Sequence, residues 1–342
     1  MRSAKLHFPL VLAGLSIWLM LMMVLSLSWG QMAIPFSHVT DSLQAGMGLG
    51  TAGQVLPNED AVIWHIRLPR TLVGFLTGAG LAAAGVALQG LFANPLVDPG
   101  IIGVSSGASV GAIAAIASGL TAVSLFALPL CALAGALLAV SLTVALAWRR
   151  GRIPVLTLLL AGVVVGMFLA ATTALILTAV NESKMQEYLF WTIGGLDYRR
   201  WEHVFLALGP ISVSIVILCL LARQLNILAL GETEAKAVGL PVMRIRLLFL
   251  LLAATATAAA VSISGNIGFV GLVVPHMMRM LIGPDHRRLL PASVIAGGAF
   301  LLLCDTAGRV LLTGTEIRVG IMTAFVGTPY FLYLLHRQQR ME

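Results

Sequence analysis

The chain is a succession of apolar runs, each about as long as a bilayer core is thick. A helix needs roughly 20 apolar residues to cross the hydrocarbon. Runs of that order occupy 8–29, 69–92, 101–119, 123–147, 154–180, 203–222, 246–264, 267–282, 290–312 and 319–335. Inside lipid a spanning segment must satisfy its own backbone N–H and C=O groups, which a helix does within itself. The expected class is therefore an all-α polytopic membrane protein with about ten transmembrane helices. Composition agrees: 10% of the residues are charged, against roughly 25% in a soluble domain. The first run, Phe8 to Trp29, exceeds a secretory h-region of about 7–15 residues and reads as a span. The run at 267–282 is short and interrupted by Gly268, Gly271 and Pro275. It is expected to be a broken or tilted helix whose backbone lines a cavity.

The basic residues sit at the ends of these runs, so the net charge of +7 reflects membrane topology and argues against nucleic-acid binding. With the N-terminus inside, fourteen of the 21 Lys and Arg fall on the inner side, among them Arg2, Lys5, Arg149, Arg150, Arg152, Arg337 and Arg340. Seven fall outside: Arg67, Arg70, Lys184, Arg199, Arg200, Arg309 and Arg318. The positive-inside bias places both termini in the cytoplasm. Two outer segments, Gly30 to Leu68 and Asn181 to Trp201, are long enough to fold; Trp191 and Trp201 suit an interfacial belt. Gly74/Gly78, Gly103/Gly107/Gly111 and Gly162/Gly166 carry the spacing of close helix packing, read as packing within the chain. A faint internal echo relates Pro99-Gly-Ile-Ile-Gly-Val104 to Gly265-Asn-Ile-Gly-Phe-Val270.

Catalytic patterns are missing. The seven histidines form no HExxH, no GxSxG occurs, and Cys131, Cys219 and Cys304 sit singly inside apolar runs. Asp305 is the clear acidic residue within a span. It is either an ion or proton site, as an ion-coupled secondary transporter would require, or a partner for its neighbours Thr306 and Arg309. No GxxxxGK[ST] loop is present, so ATP-driven transport would draw on a separate chain. A docking surface for that chain is available in the polar island Arg223 to Arg246, RQLNILALGETEAKAVGLPVMRIR. Its centre reads as a short helix from Glu232 to Val238, bounded by Gly231, Gly239 and Pro241.

Several segments together resemble the FecCD-type permeases, the membrane subunits of bacterial ATP-binding-cassette importers for ferric siderophores, haem and vitamin B12. They are Arg67-Leu-Pro-Arg70; Gly85 to Gly107 with Gln89 and Asn94-Pro-Leu-Val-Asp-Pro-Gly100; Leu230-Gly-Glu232 through Gly239; Gly268-Phe-Val-Gly-Leu272 with Pro275-His276 and Arg279; Asp285-His-Arg287; Asp305; and Val319-Gly320 through Gly327-Thr-Pro329. Ile317-Arg318 stands where other members often carry Leu-Pro. The resemblance implies one permease domain over 1–342, folded like the vitamin B12 importer permease. It implies a homodimer in the bacterial inner membrane with one path at its twofold axis, two ATPase subunits and a periplasmic binding protein. The chain itself would bind no cofactor; ATP and Mg would sit on the ATPase. Coupling to the ATPase falls to the 223–246 loop, through Leu230, Gly231, Glu232, Glu234, Ala235, Lys236 and Gly239. Binding-protein docking falls to Arg67, Arg70 and Arg309, expected to offer exposed charge on the outer face. The span from Pro154 to Val180 would line the path, with Val155, Leu156 and Thr157 as the inner gate. The stretch Trp191 to His203 looks closest to the haem permeases, so haem is the first expected cargo, a ferric siderophore the next and vitamin B12 the last.

Overall fold

The structure, a computed structural model, describes residues 7–50, 53, 55–149, 151–312 and 314–339, without the side chains at 334, 335 and 337–339. Arg2, Lys5, Arg150, Arg340 and the Arg337 side chain, counted above on the inner side, lie outside the described residues. The described residues fold as helices, with one isolated backbone bridge between Arg149 and Arg152. In chain order the helices are α1 (Phe8–Ser28), α2 (Phe36–Gly46), α3 (Pro57–Val62), α4 (Leu68–Leu91), α5 (Val104–Ala117), α6 (Leu120–Val123), α7 (Ala127–Ala147) and α8 (Val155–Ala179). They continue as α9 (Glu182–Ile193), α10 (Trp201–Leu220), α11 (Ala222–Leu228), α12 (Glu232–Ala237), α13 (Val242–Ser264), α14 (Val270–Ile282), α15 (His286–Val310) and α16 (Val319–Gln339). Seven stretches are long and apolar enough to cross a membrane, and three shorter apolar helices, Val104–Ala117, Val270–Ile282 and Val319–Tyr333, fill the remaining runs. The two ends of the bundle are called inner and outer below, after the charge bias in the sequence.

The bundle is built around α4. Its run of Gly and Ala leaves almost no side-chain bulk, so α10, α13, α14 and α15 all pack against it. A Cβ on Gly78 would run into the carbonyl of Gly297 on α15, and one on Gly85 into the carbonyl of Gly271 on α14. Backbones this close give α4 and α15 van der Waals contact along their length, the main attraction between helices in lipid. The same device joins α5 to α7, where Gly107 faces Gly135 and Gly111 faces Cys131. The glycine spacings seen in the sequence thus serve packing within the chain.

The two shortest spans begin inside the bundle. Gly271, at the start of α14, lies against the ring of Pro99, which opens the one-turn 3-10 segment leading into α5. The faint echo in the sequence falls on these two starts. Gly103 precedes α5 with φ +89°, and its counterpart Phe269 precedes α14 with φ +69°. Left-handed backbone is uncommon for a residue with a side chain, so the shared geometry supports an internal structural repeat of the kind transporters contain.

At the outer end α2 and α3 fold over α1, burying Leu27, Ile34, Val39 and Ile63 in a small core of their own. The sequence left both outer segments as polar stretches of sufficient length; they contain α2, α3 and α9.

Candidate functional site

At the inner end the island folds much as its punctuation suggests. Helix α12 runs from Glu232 to Ala237, with Glu232 and Glu234 in its first turn and Lys236 in its last. That order complements the helix dipole. Gly231 (φ +124°) precedes the helix and Gly239 (φ +78°) ends it. The Leu240 N–H donates to Ala235 O (3.0 Å) and the Gly239 N–H to Lys236 O (2.9 Å), a left-handed C-cap that a side chain would strain. Ala235 is fully buried beneath the helix. Leu230, just before the helix, and Glu234 and Val238 are exposed, Leu230 by 71% and Val238 by 67%. They border an open cavity of about 560 Å³ shared with Arg223, Gln224 and Ile227.

Glu232 turns the other way. It receives Lys236 Nζ at 2.6 Å and an Arg246 guanidinium nitrogen at 3.4 Å. The hydrogen bond from Lys236 holds its carboxyl below the ordinary glutamate range, with Arg246 adding to the effect. Arg246 also donates to Ile153 O (3.0 Å). The start of α13 is thereby tied to the turn that leads into Val155, Leu156 and Thr157. One guanidinium thus links Glu232 of the 223–246 loop to Ile153, two residues before Val155.

Helix α8 is the least covered of the long spans. Leu156, Leu160, Val163, Val164, Met167, Phe168 and Leu175 are all about half exposed or more. They make an apolar face running from the inner end nearly to the outer one, free to meet lipid, a second subunit or a passing cargo.

The outer end corrects one expectation. Arg67, Arg70 and Arg309 lie there, but their side chains are buried and committed inward. Arg70 places its fork on Asp305 (Nη2 to Oδ1 2.8 Å, Nε to Oδ2 3.1 Å) and reaches Glu316 (2.8 Å) and Asp197 (3.3 Å). Arg309 Nε pairs with Asp305 Oδ2 at 3.2 Å, and its Nη atoms donate to Ser26, Trp29 and Thr306. Arg67 donates to the carbonyls of Leu27 (2.6 Å), Ser28 (2.9 Å) and Met32, closing the last turn of α1 and the chain beyond it. Guanidinium groups bound this way are not exposed charge. Burial in low dielectric without such partners would be costly, so the fold surrounds them with carboxylates and carbonyls. Of the seven outer-side basic residues the exposed one is Arg200, close in the chain to Tyr198, which is 91% exposed. Burial pulls the neighbouring Arg199 down to about 10.

Asp305 is 1% exposed and sits between two arginines from different helices. It is an ion-pair hub joining α4 to α15, the reading in which it serves its neighbours. Its partner Arg70, and the Asp197 and Glu316 carboxylates that share Arg70, are remote from it or from one another in sequence, and residue order alone does not bring them together. Asn226, inside the island but unremarked there, is a second such omission: it bonds Asp285 and His286 at the opposite end of α15. Nothing in the sequence marks it except proximity to a charged loop. Among the described residues no cluster of three or more His, Cys, Asp or Glu could hold a metal ion.

Seven helices long and apolar enough to cross a membrane, with three shorter apolar helices beside them and a capped helix presented at one end, define a polytopic membrane protein. The chain belongs to the FecCD transport family, whose model matches residues 18–337. It is a permease of an ATP-binding-cassette importer. A relative from Halobacterium salinarum, the cobalamin import system permease protein BtuC, is 42% identical over 307 residues, covering 90% of this chain and 80% of the relative. The vitamin B12 import system permease protein BtuC of Citrobacter koseri is 37% identical over 329 residues, covering 96% and 94%. A solved structure described as an inward-facing conformation of a metal-chelate type ABC transporter superposes with a TM-score of 0.85 at 34% identity, over 96% of this chain and 99% of that one.

Proposed function

We propose that this permease carries a corrinoid of the cobalamin type into the cell. The observation that carries this is the pair of relatives named as cobalamin and vitamin B12 permeases, one of them matched over nearly its whole length. The order of cargoes read from the sequence, with haem first, is therefore reversed. The residues that suggested haem have other work. Trp191 is buried against Tyr188, Trp201 donates to Trp64 O (3.0 Å), and His203 is buried. These three side chains pack within the outer segments, while Tyr198 of the same stretch is exposed. Likeness to a metal-chelate type transporter keeps a ferric chelate as the second reading.

In the proposed cycle two copies of the chain sit in the inner membrane with both termini in the cytoplasm. Their α8 faces flank a central path, and Val155, Leu156 and Thr157 narrow its inner end. A mostly apolar wall suits a bulky cargo that must leave as readily as it enters. Two ATPase subunits, which would hold the ATP and Mg, dock on Leu230, Glu234 and Val238; Gly231, Ala235 and Gly239 shape the helix, and Glu232 and Lys236 brace it. A binding protein delivers cargo to the outer face, meeting Arg200 and Tyr198 while the Asp305 cluster keeps that face rigid. An ion-coupled carrier is disfavoured because the oxygens of Asp305 are engaged by Arg70 and Arg309.

The test is uptake by the reconstituted complex of permease, ATPase and binding protein in liposomes, with cobalamin, haem and a ferric siderophore offered in parallel. ATP-dependent uptake of cobalamin alone is expected. Uptake of a siderophore or haem in its place would overturn the cargo, and ATP-independent uptake driven by an ion gradient would overturn the mechanism.

A further inference from the structure

One amide ties the coupling loop to the body of the permease. Asn226 lies on α11, directly before the ATPase-docking helix. Its Nδ2 donates to Asp285 Oδ1 at 2.7 Å. Its Oδ1 accepts from the His286 N–H (2.9 Å) and from His286 Nδ1 (2.7 Å). The donor and acceptor ends of the amide are thus assigned by their partners, and the histidine must carry its proton on Nδ1. Asp285 caps α15, its Oδ1 also accepting from the Arg287 N–H at 3.0 Å. The bare edge of His286 rests on Gly90 of α4, where a Cβ would come within 2.7 Å of Nε2 and 2.9 Å of Leu225 on α11. The amide thus joins α11 to the first turn of α15, and the last turn of α4 packs on the same His286 and on Leu225 of α11.

What lies beyond it gives the contact a role. Through Gly78 and Gly297, α4 and α15 are joined backbone to backbone. From His286 to Asp305 is roughly 30 Å along α15 at the usual helical rise. At that far end Arg70 of α4 and Arg309 of α15 share Asp305. The two helices form one body reaching from the coupling loop to the outer face.

We propose that Asn226 is the positioning residue that transmits displacement of the ATPase-docking helix to the α4–α15 body, and through it to the outer face. This rests on the reading that the 223–246 loop docks the ATPase. A surface loop held only by solvent-facing contacts would move without taking the spans along. Three hydrogen bonds from one rigid amide, one to a carboxylate, make the loop and α15 move together. Coupling of this sort is an energetic claim, and it is tested by separating the two events it joins.

The experiment uses the complete complex in liposomes and measures ATP hydrolysed, cargo moved and ATPase retained on the permease. Asn226→Ala is expected to retain the ATPase and hydrolyse ATP within about twofold of the parent, while cargo moved per ATP falls by about tenfold, the effect of losing several part-buried hydrogen bonds, one of them to a carboxylate. Asn226→Asp keeps the acceptor for His286 but sets a carboxylate against Asp285, and is expected to uncouple equally. Adding Asp285→Asn to it restores a donor–acceptor pair between the two positions and is expected to recover a substantial part of the cargo moved per ATP. An unchanged ratio in both single variants would overturn the proposal, as would uptake and hydrolysis falling in proportion, the mark of a merely structural role. If Asn226→Ala fails to reach the membrane, the Asn226→Asp variant and its rescue decide alone. Failure of the docking reading looks different: Glu234→Lys would then leave ATPase retention untouched, whatever Asn226 does.

Discussion

The two ends of this permease use charge in opposite ways. At the outer end Arg67, Arg70 and Arg309 are sunk into the protein, each surrounded by carboxylates or carbonyls. At the inner end Glu232 and Lys236 stay in water, 40% and 52% exposed, and Glu234 has no ion-pair partner among the described residues. A buried charge cluster is costly to break because a lost partner leaves an uncompensated ion. An exposed i,i+4 pair adds only a few tenths of a kcal/mol. The outer cluster is thus part of what holds α4 to α15, whereas the inner charges are available for another protein to read.

The comparison is broken most easily at Asp305. Asp305→Asn leaves Arg309 without an acidic partner and should cost about 3–5 kcal/mol. The expected outcome is a large fall in thermal stability of the detergent-purified protein, and a melt unchanged from the parent would contradict the reading. Arg70→Lys keeps a charge but loses the fork that grips Asp305, Glu316 and Asp197 together. It should cost roughly 1–3 kcal/mol, an intermediate shift in the same melt. Glu232→Gln removes an exposed pair and should change stability by at most about 0.5 kcal/mol. Because Lys236 holds the Glu232 carboxyl below its ordinary range, the small contribution of this pair is present above that range. It is lost as pH falls through the depressed value, so a melt followed between neutral and mildly acidic pH should show no step owing to Glu232.

Much of this was legible in the residues. Each of the ten apolar runs is a helix, seven of them long enough to cross a membrane and three shorter, because a segment in lipid must satisfy its own backbone. Gly231, Gly239 and Pro241 mark the bounds of α12, because a positive φ or a missing N–H ends a helix wherever it occurs. Arg67, Arg70 and Arg309 were misjudged because position relative to the membrane says which side a charge is on, not whether it faces water. Arg70 is covered by Asp197 and Glu316, brought to it by the α9–α10 and α15–α16 connections, and Arg67 and Arg309 are covered by carbonyls at the end of α1. Asn226 was missed for the same reason: its partners lie 59 and 60 positions further along the chain. Cargo was read from aromatic residues that the fold uses for packing.

The most direct measurement sets Glu234→Lys beside Asp305→Asn and records, for each, the melting temperature and the ATPase retained on the purified permease. Glu234→Lys should melt with the parent and lose the ATPase, and Asp305→Asn should melt far lower while the portion that stays folded retains it. If Glu234→Lys holds the ATPase as firmly as the parent, or Asp305→Asn melts unchanged, the division of labour between the two ends is wrong.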